Sequence, residues 1–171
     1  MKAAWVILAI ALALVLQTQT TLGRFMIQGT VAVDLVLVVV VYVALTSGPV
    51  TGLLSGTAAG LVQDALSSGV VGIGGLAKTI VGFLAGIVGN QFIVTQPLPR
   101  FVVFFCATLL DRVVFIGLYV LLDLRSFGTS YASVAGQAVG NAVVGVVAFQ
   151  LVEFLPGAME RRRTAKSRVR R

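Results

Sequence analysis

Asp64, Lys78, Asp111 and Arg112 are charged residues set inside long apolar runs. At the centre of a bilayer such charges cost about 2.5–3.5 kcal/mol apiece on insertion scales, so each must face protein or water. Two acids and two bases so placed could form a buried ionic staple between helices. They could also line a proton or ion path, or meet another membrane protein. Lys78 and Asp111 sit at depths that let antiparallel helices pair them, and Asp64 is placed to share Lys78. Asp111 and Arg112 are consecutive, about 100° apart on a helix, and are expected to take different partners. The chain has no histidine and a single cysteine, Cys106, inside an apolar run. That composition excludes a disulfide framework and the usual zinc or haem sites. No Ser–Lys or paired-carboxylate arrangement falls in a recognisable motif, so no catalytic residue, metal or cofactor is expected. Gly72, Gly74 and Gly75 lack the following Lys-Ser/Thr of a phosphate loop.

A second feature ends on the first of these charges. In Ser47 to Ser68, SGPVTGLLSGTAAGLVQDALSS, glycines recur at Gly48, Gly52, Gly56 and Gly60, and the next step of four is Asp64. A spacing of four keeps residues on nearly one helix face. The result is a smooth stripe between apolar neighbours such as Leu53, Leu54 and Leu61. Small residues let backbones approach closely in lipid, where van der Waals contact holds helices together. The stripe is either a packing seam within one bundle or a groove for a partner's helix.

The elements that position these residues follow from composition. Of 171 residues, 58% are hydrophobic and 11% charged, and mean hydropathy is +1.03. A soluble domain of this length needs more polar surface. Repeated apolar runs of about twenty residues read as membrane spans. The expected fold is all-α: a polytopic integral membrane protein, a six-transmembrane-helix bundle. Its spans are expected at 3–22, 31–46, 49–66, 71–92, 101–122 and 130–152. The first could be a signal peptide, but it continues through Gln17 to Thr21 without a small-x-small cleavage site, which favours a retained span. The valine-rich second span would suggest a strand in water; in lipid an unpaired strand edge is too costly. Asp34 suits its N-terminus, and Pro49 the first turn of the third. The two prolines of 95–100 mark a loop, and Pro156-Gly157 is expected to end the sixth span.

Residues 1–157 thus form the transmembrane domain and 158–171 a basic tail. That tail carries Arg161, Arg162, Arg163, Lys166, Arg168, Arg170 and Arg171, most of the net +7. With six spans both termini share one side, together with Lys2 and Arg100. The positive-inside rule makes that side the cytoplasm. The tail is expected to contact anionic lipid. It has no interleaved aromatics, so no nucleic-acid platform is expected.

The run Val33-Asp34-Leu35, Tyr42-Val43-Ala44-Leu45, Gly48-Pro49, Gly52, Gly56 and Gly60-Leu61-Val62-Gln63-Asp64 resembles the bacterial rod shape-determining protein MreD family. So do Leu66-Ser67-Ser68-Gly69, Gly72 and Gly82-Phe83-Leu84-Ala85-Gly86, with Gln17 at the end of the first span. Val33 and Val71 stand where that family usually has proline. The resemblance implies a non-enzymatic scaffold of the cell-elongation machinery in the bacterial cytoplasmic membrane. Its implied partners are MreC, a single-span periplasmic scaffold, and through it RodA with its transpeptidase partner and the filament MreB. The family is similar in architecture to the S-components of energy-coupling-factor transporters, which implies the alternative: a substrate-binding transport subunit. That alternative would need a polar pocket made from Gln17, Asp64, Lys78, Gln137 or Asn141.

Overall fold

The computed structural model describes residues 9–13, 15, 33–67, 70–92, 96–123 and 131–168, with side chains up to residue 153. Trp5, Gln17, the Arg24 loop, Ser68-Gly69, Arg170 and Arg171 lie outside the described residues. So do the side chains of Arg161, Arg162, Arg163, Lys166 and Arg168.

Every described regular element is a helix. Residues 9–13 form a turn of helix, α1. There follow α2 (Leu35–Ser47), α3 (Pro49–Leu66), α4 (Ile73–Gln91), α5 (Pro97–Leu121) and α6 (Tyr131–Arg168).

The middle of the bundle is α2, which touches α3, α4, α5 and α6. Val36, Leu37, Val38, Val40, Val41, Val43 and Ala44 are all buried, around the whole circumference. A helix apolar on every side belongs inside a larger assembly. It is also short: thirteen residues rise about 20 Å, less than the ~30 Å of a hydrocarbon core. Its start, expected at 31, comes later because Asp34 stands outside as the N-cap, its Oδ1 accepting from the Leu37 amide at 3.0 Å. Its end is set by Gly48 at φ 90°, a left-handed turn that leads directly into Pro49.

The α3–α4 hairpin is the tightest pair. α5 and α6 close the other side, with Phe104 seated against Gly145. The core joins Leu37, Val41, Val81, Phe104, Ala142 and Phe149. Beyond the start of α2, two boundaries differ from the expected ones by four residues or more. α5 starts four residues early, because Pro97 and Pro99 occupy a first turn that needs no amide hydrogens. α6 runs through Pro156-Gly157 to Arg168, since the following Ala, Met, Glu, Arg and Lys are strong helix formers.

Ile73–Gln91, Pro97–Leu121 and Tyr131–Glu153 are each long and apolar enough to cross a membrane. Val102, Val113 and Val120 on α5 and Val139, Val143 and Val147 on α6 are exposed large apolar residues, as a lipid-facing surface requires.

Candidate functional site

Lys78 lies in the second turn of α4 and is 5% exposed. Its Nζ stands 3.0 Å from Asp34 Oδ2 and 3.8 Å from Asp111 Oδ1. One cation therefore joins acids from two other helices. α6 enters through Asn141, whose Oδ1 accepts from the Asp34 amide at 2.8 Å. Asn141 Nδ2 donates to Thr108 Oγ1 at 3.1 Å. The polar cluster thus ties α2, α4, α5 and α6 together through buried side chains. Charges held this way fix register, since moving any one helix strands a buried ion.

The third acid is spent differently. Asp64 does not reach Lys78; its Oδ2 accepts from the Gly72 and Gly75 amides at 2.9 and 3.0 Å. It caps α4 from α3, where the helix dipole favours an anion. A Cβ at Gly74 would fall on Asp64 Oδ1, so alanine there would push the carboxylate away from the two amides. Asp64→Ala leaves those amides unmet and should cost about 1–3 kcal/mol. Gly74→Ala should produce a similar fall in the thermal midpoint of the detergent-solubilised protein. A Gly74→Ala protein as stable as the parent would show that Asp64 does not sit there.

The rest of the stripe faces inward. A Cβ at Gly52 would meet the Gly82 carbonyl, one at Gly56 the Lys78 carbonyl, and one at Gly60 the Gly75 backbone. Gly48 makes the turn before α3. The face that could have been a groove is therefore filled by α4. Thr57 and Thr79 hydroxyls meet at 2.7 Å along the same seam.

Beside the ionic cluster is a pocket of about 160 Å³. Gln63, Asp64 and Ser67 of the α3 end line it with Val70, Gly74 and Lys78. Asp34, Asp111, Arg112, Phe115 and Tyr119 complete it. Asp111 and Arg112 both line it with different neighbours, Lys78 for the acid and the Phe115 ring for the base. The long Arg112 side chain bends round, its guanidinium 5.8 Å from the Phe115 ring centre. Three buried polar atoms here have no hydrogen-bond partner: Gln63 Oε1, Asp111 Oδ1 and Arg112 Nε. Among the described residues no group of three His, Cys, Asp or Glu could hold a metal. What the pocket offers is recognition by acceptors and a donor.

At the opposite end, Arg100 is buried rather than on a loop. It makes a two-pronged pair with Glu153, its Nη1 donating to Oε2 at 2.9 Å. Its guanidinium lies 4.0 Å over the Phe149 ring, which Tyr42 meets edge-on.

Of the residues expected from sequence, the structure gathers Asp64, Lys78, Asp111 and Arg112 at one pocket. Gln137 is buried elsewhere, and Asn141 serves the Asp34 amide without lining the pocket. Asp34 as the nearer partner of Lys78, and Gln63 as a lining residue, were not foreseen. The signal available for Asp34 was an acid heading an apolar helix.

A family model described as the rod shape-determining protein MreD matches residues 1–155. No curated protein and no solved structure matches the chain.

Proposed function

The chain belongs to the family of the rod shape-determining protein MreD, and on that premise we propose that it is a scaffold of the cell-elongation complex that docks MreC at the polar pocket. The family is one of non-catalytic, multi-pass cell-shape membrane proteins. The finer reading is a six-span bundle of the energy-coupling-factor S-component kind with both termini in the cytoplasm. RodA with its transpeptidase partner, and MreB, are reached through MreC.

The observation that carries this reading is the pocket itself. Among the described residues the other buried side-chain polar atoms find partners; here three are left unmet. Native interiors seldom leave such groups without a partner, and each costs about 1–3 kcal/mol. The pocket lies at the end of the bundle where α2 begins and α3 ends, away from Arg100 and the basic tail. With the basic end in the cytoplasm, it opens to the outer side. A single-span partner leaving the bilayer there would pass its juxtamembrane segment beside the pocket. The glycine stripe is a poorer dock, because α4 already covers it.

At this pocket the transport alternative fits less well. Small-molecule sites usually enclose about 300–1,000 Å³, and this pocket has about 160 Å³. The basic residues of α6 beyond Glu153 would meet anionic lipid, at about 1 kcal/mol each near the surface.

Val70 lines the pocket and is 44% exposed, so tryptophan there would plug the site without touching the core. Val70→Trp should leave insertion and thermal midpoint unchanged and remove MreC from the detergent-purified complex. Undiminished MreC recovery would end the proposal.

A further inference from the structure

The three carboxylates of the pocket are unequally satisfied. Asp64 has two amide donors at the start of α4. Asp34 has the Leu37 amide and Lys78 at 3.0 Å. Asp111 has only Lys78, at 3.8 Å, beyond hydrogen-bond reach, and its Oδ1 accepts nothing although its side chain is 2% exposed. A second unmet atom, Gln63 Oε1, is also an acceptor. Two buried acceptors on residues that line one cavity ask for a donor with several hydrogens, and a charged one makes the stronger bond. Among the described residues Arg112 Nε is the one unmet buried side-chain donor, so the occupant must also bring an acceptor. A bare ammonium or metal ion does not; a polypeptide brings a carbonyl at every residue. The pocket's size admits one long side chain but no folded element. Phe115 and Tyr119 give the aliphatic stem of such a side chain an apolar wall.

We propose that the segment seated in this pocket places a lysine or arginine side chain on Asp111 and Gln63, with a backbone carbonyl on Arg112 Nε. This rests on the docking reading above and specifies its chemistry. Selectivity then comes from charge: an acidic or purely apolar segment would leave Asp111 buried and underpaired, a penalty that rejects the wrong partner.

The test measures affinity between the full-length chain and its full-length single-span partner in nanodiscs, with three variants. Asp111→Asn removes the charge and should weaken binding about tenfold or more. Gln63→Glu adds a charge at the second acceptor and should tighten binding by about threefold or more. A folding defect cannot produce tighter binding, so the opposite signs separate recognition from damage. Val70→Trp should abolish binding. If Val70→Trp abolishes binding but the two charge variants do not shift affinity in opposite directions, the pocket docks a segment without a basic side chain, and this inference is overturned alone. If Val70→Trp has no effect, the docking reading falls and takes the inference with it.

Discussion

Lys78→Met should be among the most damaging single substitutions in this chain, costing about 3–5 kcal/mol. Methionine matches lysine as far as Cε and suits the apolar surroundings, so most of the packing is kept. What is lost is the cation between Asp34 and Asp111. Both carboxylates are almost fully buried. Removing one member of a buried ionic group is costly because the survivors stay behind uncompensated; removing all of them is much less so. The triple variant Asp34→Asn, Lys78→Met, Asp111→Asn should therefore recover most of the loss. Asparagine still caps α2 through its side-chain oxygen, and Asn141 binds the backbone of residue 34, which the change leaves alone. The measurement is the temperature at which the detergent-solubilised protein loses its monodisperse elution. A single variant that melts with the parent, or a triple variant worse than the single, would show that the cluster is not a closed ionic unit.

How far this site could be read from sequence depends on which distances the sequence contains. Counting rise along the two apolar runs brings Lys78 and Asp111 to similar depth, and they do meet. Asp34 was legible as a helix start, but its depth was not. A helix start is ordinarily at the membrane surface. Here α2 is enclosed by four neighbours and only thirteen residues long, so its cap lies beside the second turn of α4. That is a consequence of tertiary packing. Asp64 had the right position and the wrong partner: nothing in the spacing says whether a carboxylate at a helix end will choose a lysine or two amides eight and eleven residues on. Pro97, Pro99 and Pro156 illustrate the limits of punctuation. A proline near a helix start is tolerated because the first amides have no partner, so two prolines that suggest a loop can equally open a helix. The glycine stripe gave its face but not its occupant. The clue was a complementary series, Gly82 and Gly86, on the next helix. Gly52 and Gly82 are in mutual contact across the seam.

Gly56 supplies the second large effect, and its sign is the informative part. At an ordinary helix position Gly→Ala stabilises by roughly 0.5–1 kcal/mol, because alanine loses less backbone freedom on folding. Gly117 is such a position: a Cβ there meets nothing within 4 Å. Gly117→Ala should therefore raise the thermal midpoint. At Gly56 the added Cβ lands on the backbone of Lys78, with the Thr79 nitrogen 3.0 Å away. Backbone cannot rotate aside as a side chain can, so α4 itself must move. The residue it would drag is Lys78, whose 3.0 Å bond to Asp34 leaves little room for displacement. Overpacking of this kind costs about 1–3 kcal/mol for small insertions, and Gly56→Leu, with three further carbons, should leave no folded protein to purify. Gly56→Ala should thus lower the midpoint where Gly117→Ala raises it. If both substitutions stabilise, α3 and α4 are not in backbone contact, and the stripe becomes available as a docking surface for a partner's helix. If only Gly56→Ala destabilises, loss of MreC in any Gly56 variant is to be ascribed to collapse of the α3–α4 seam and the ionic cluster behind it, and carries no information about where the partner binds.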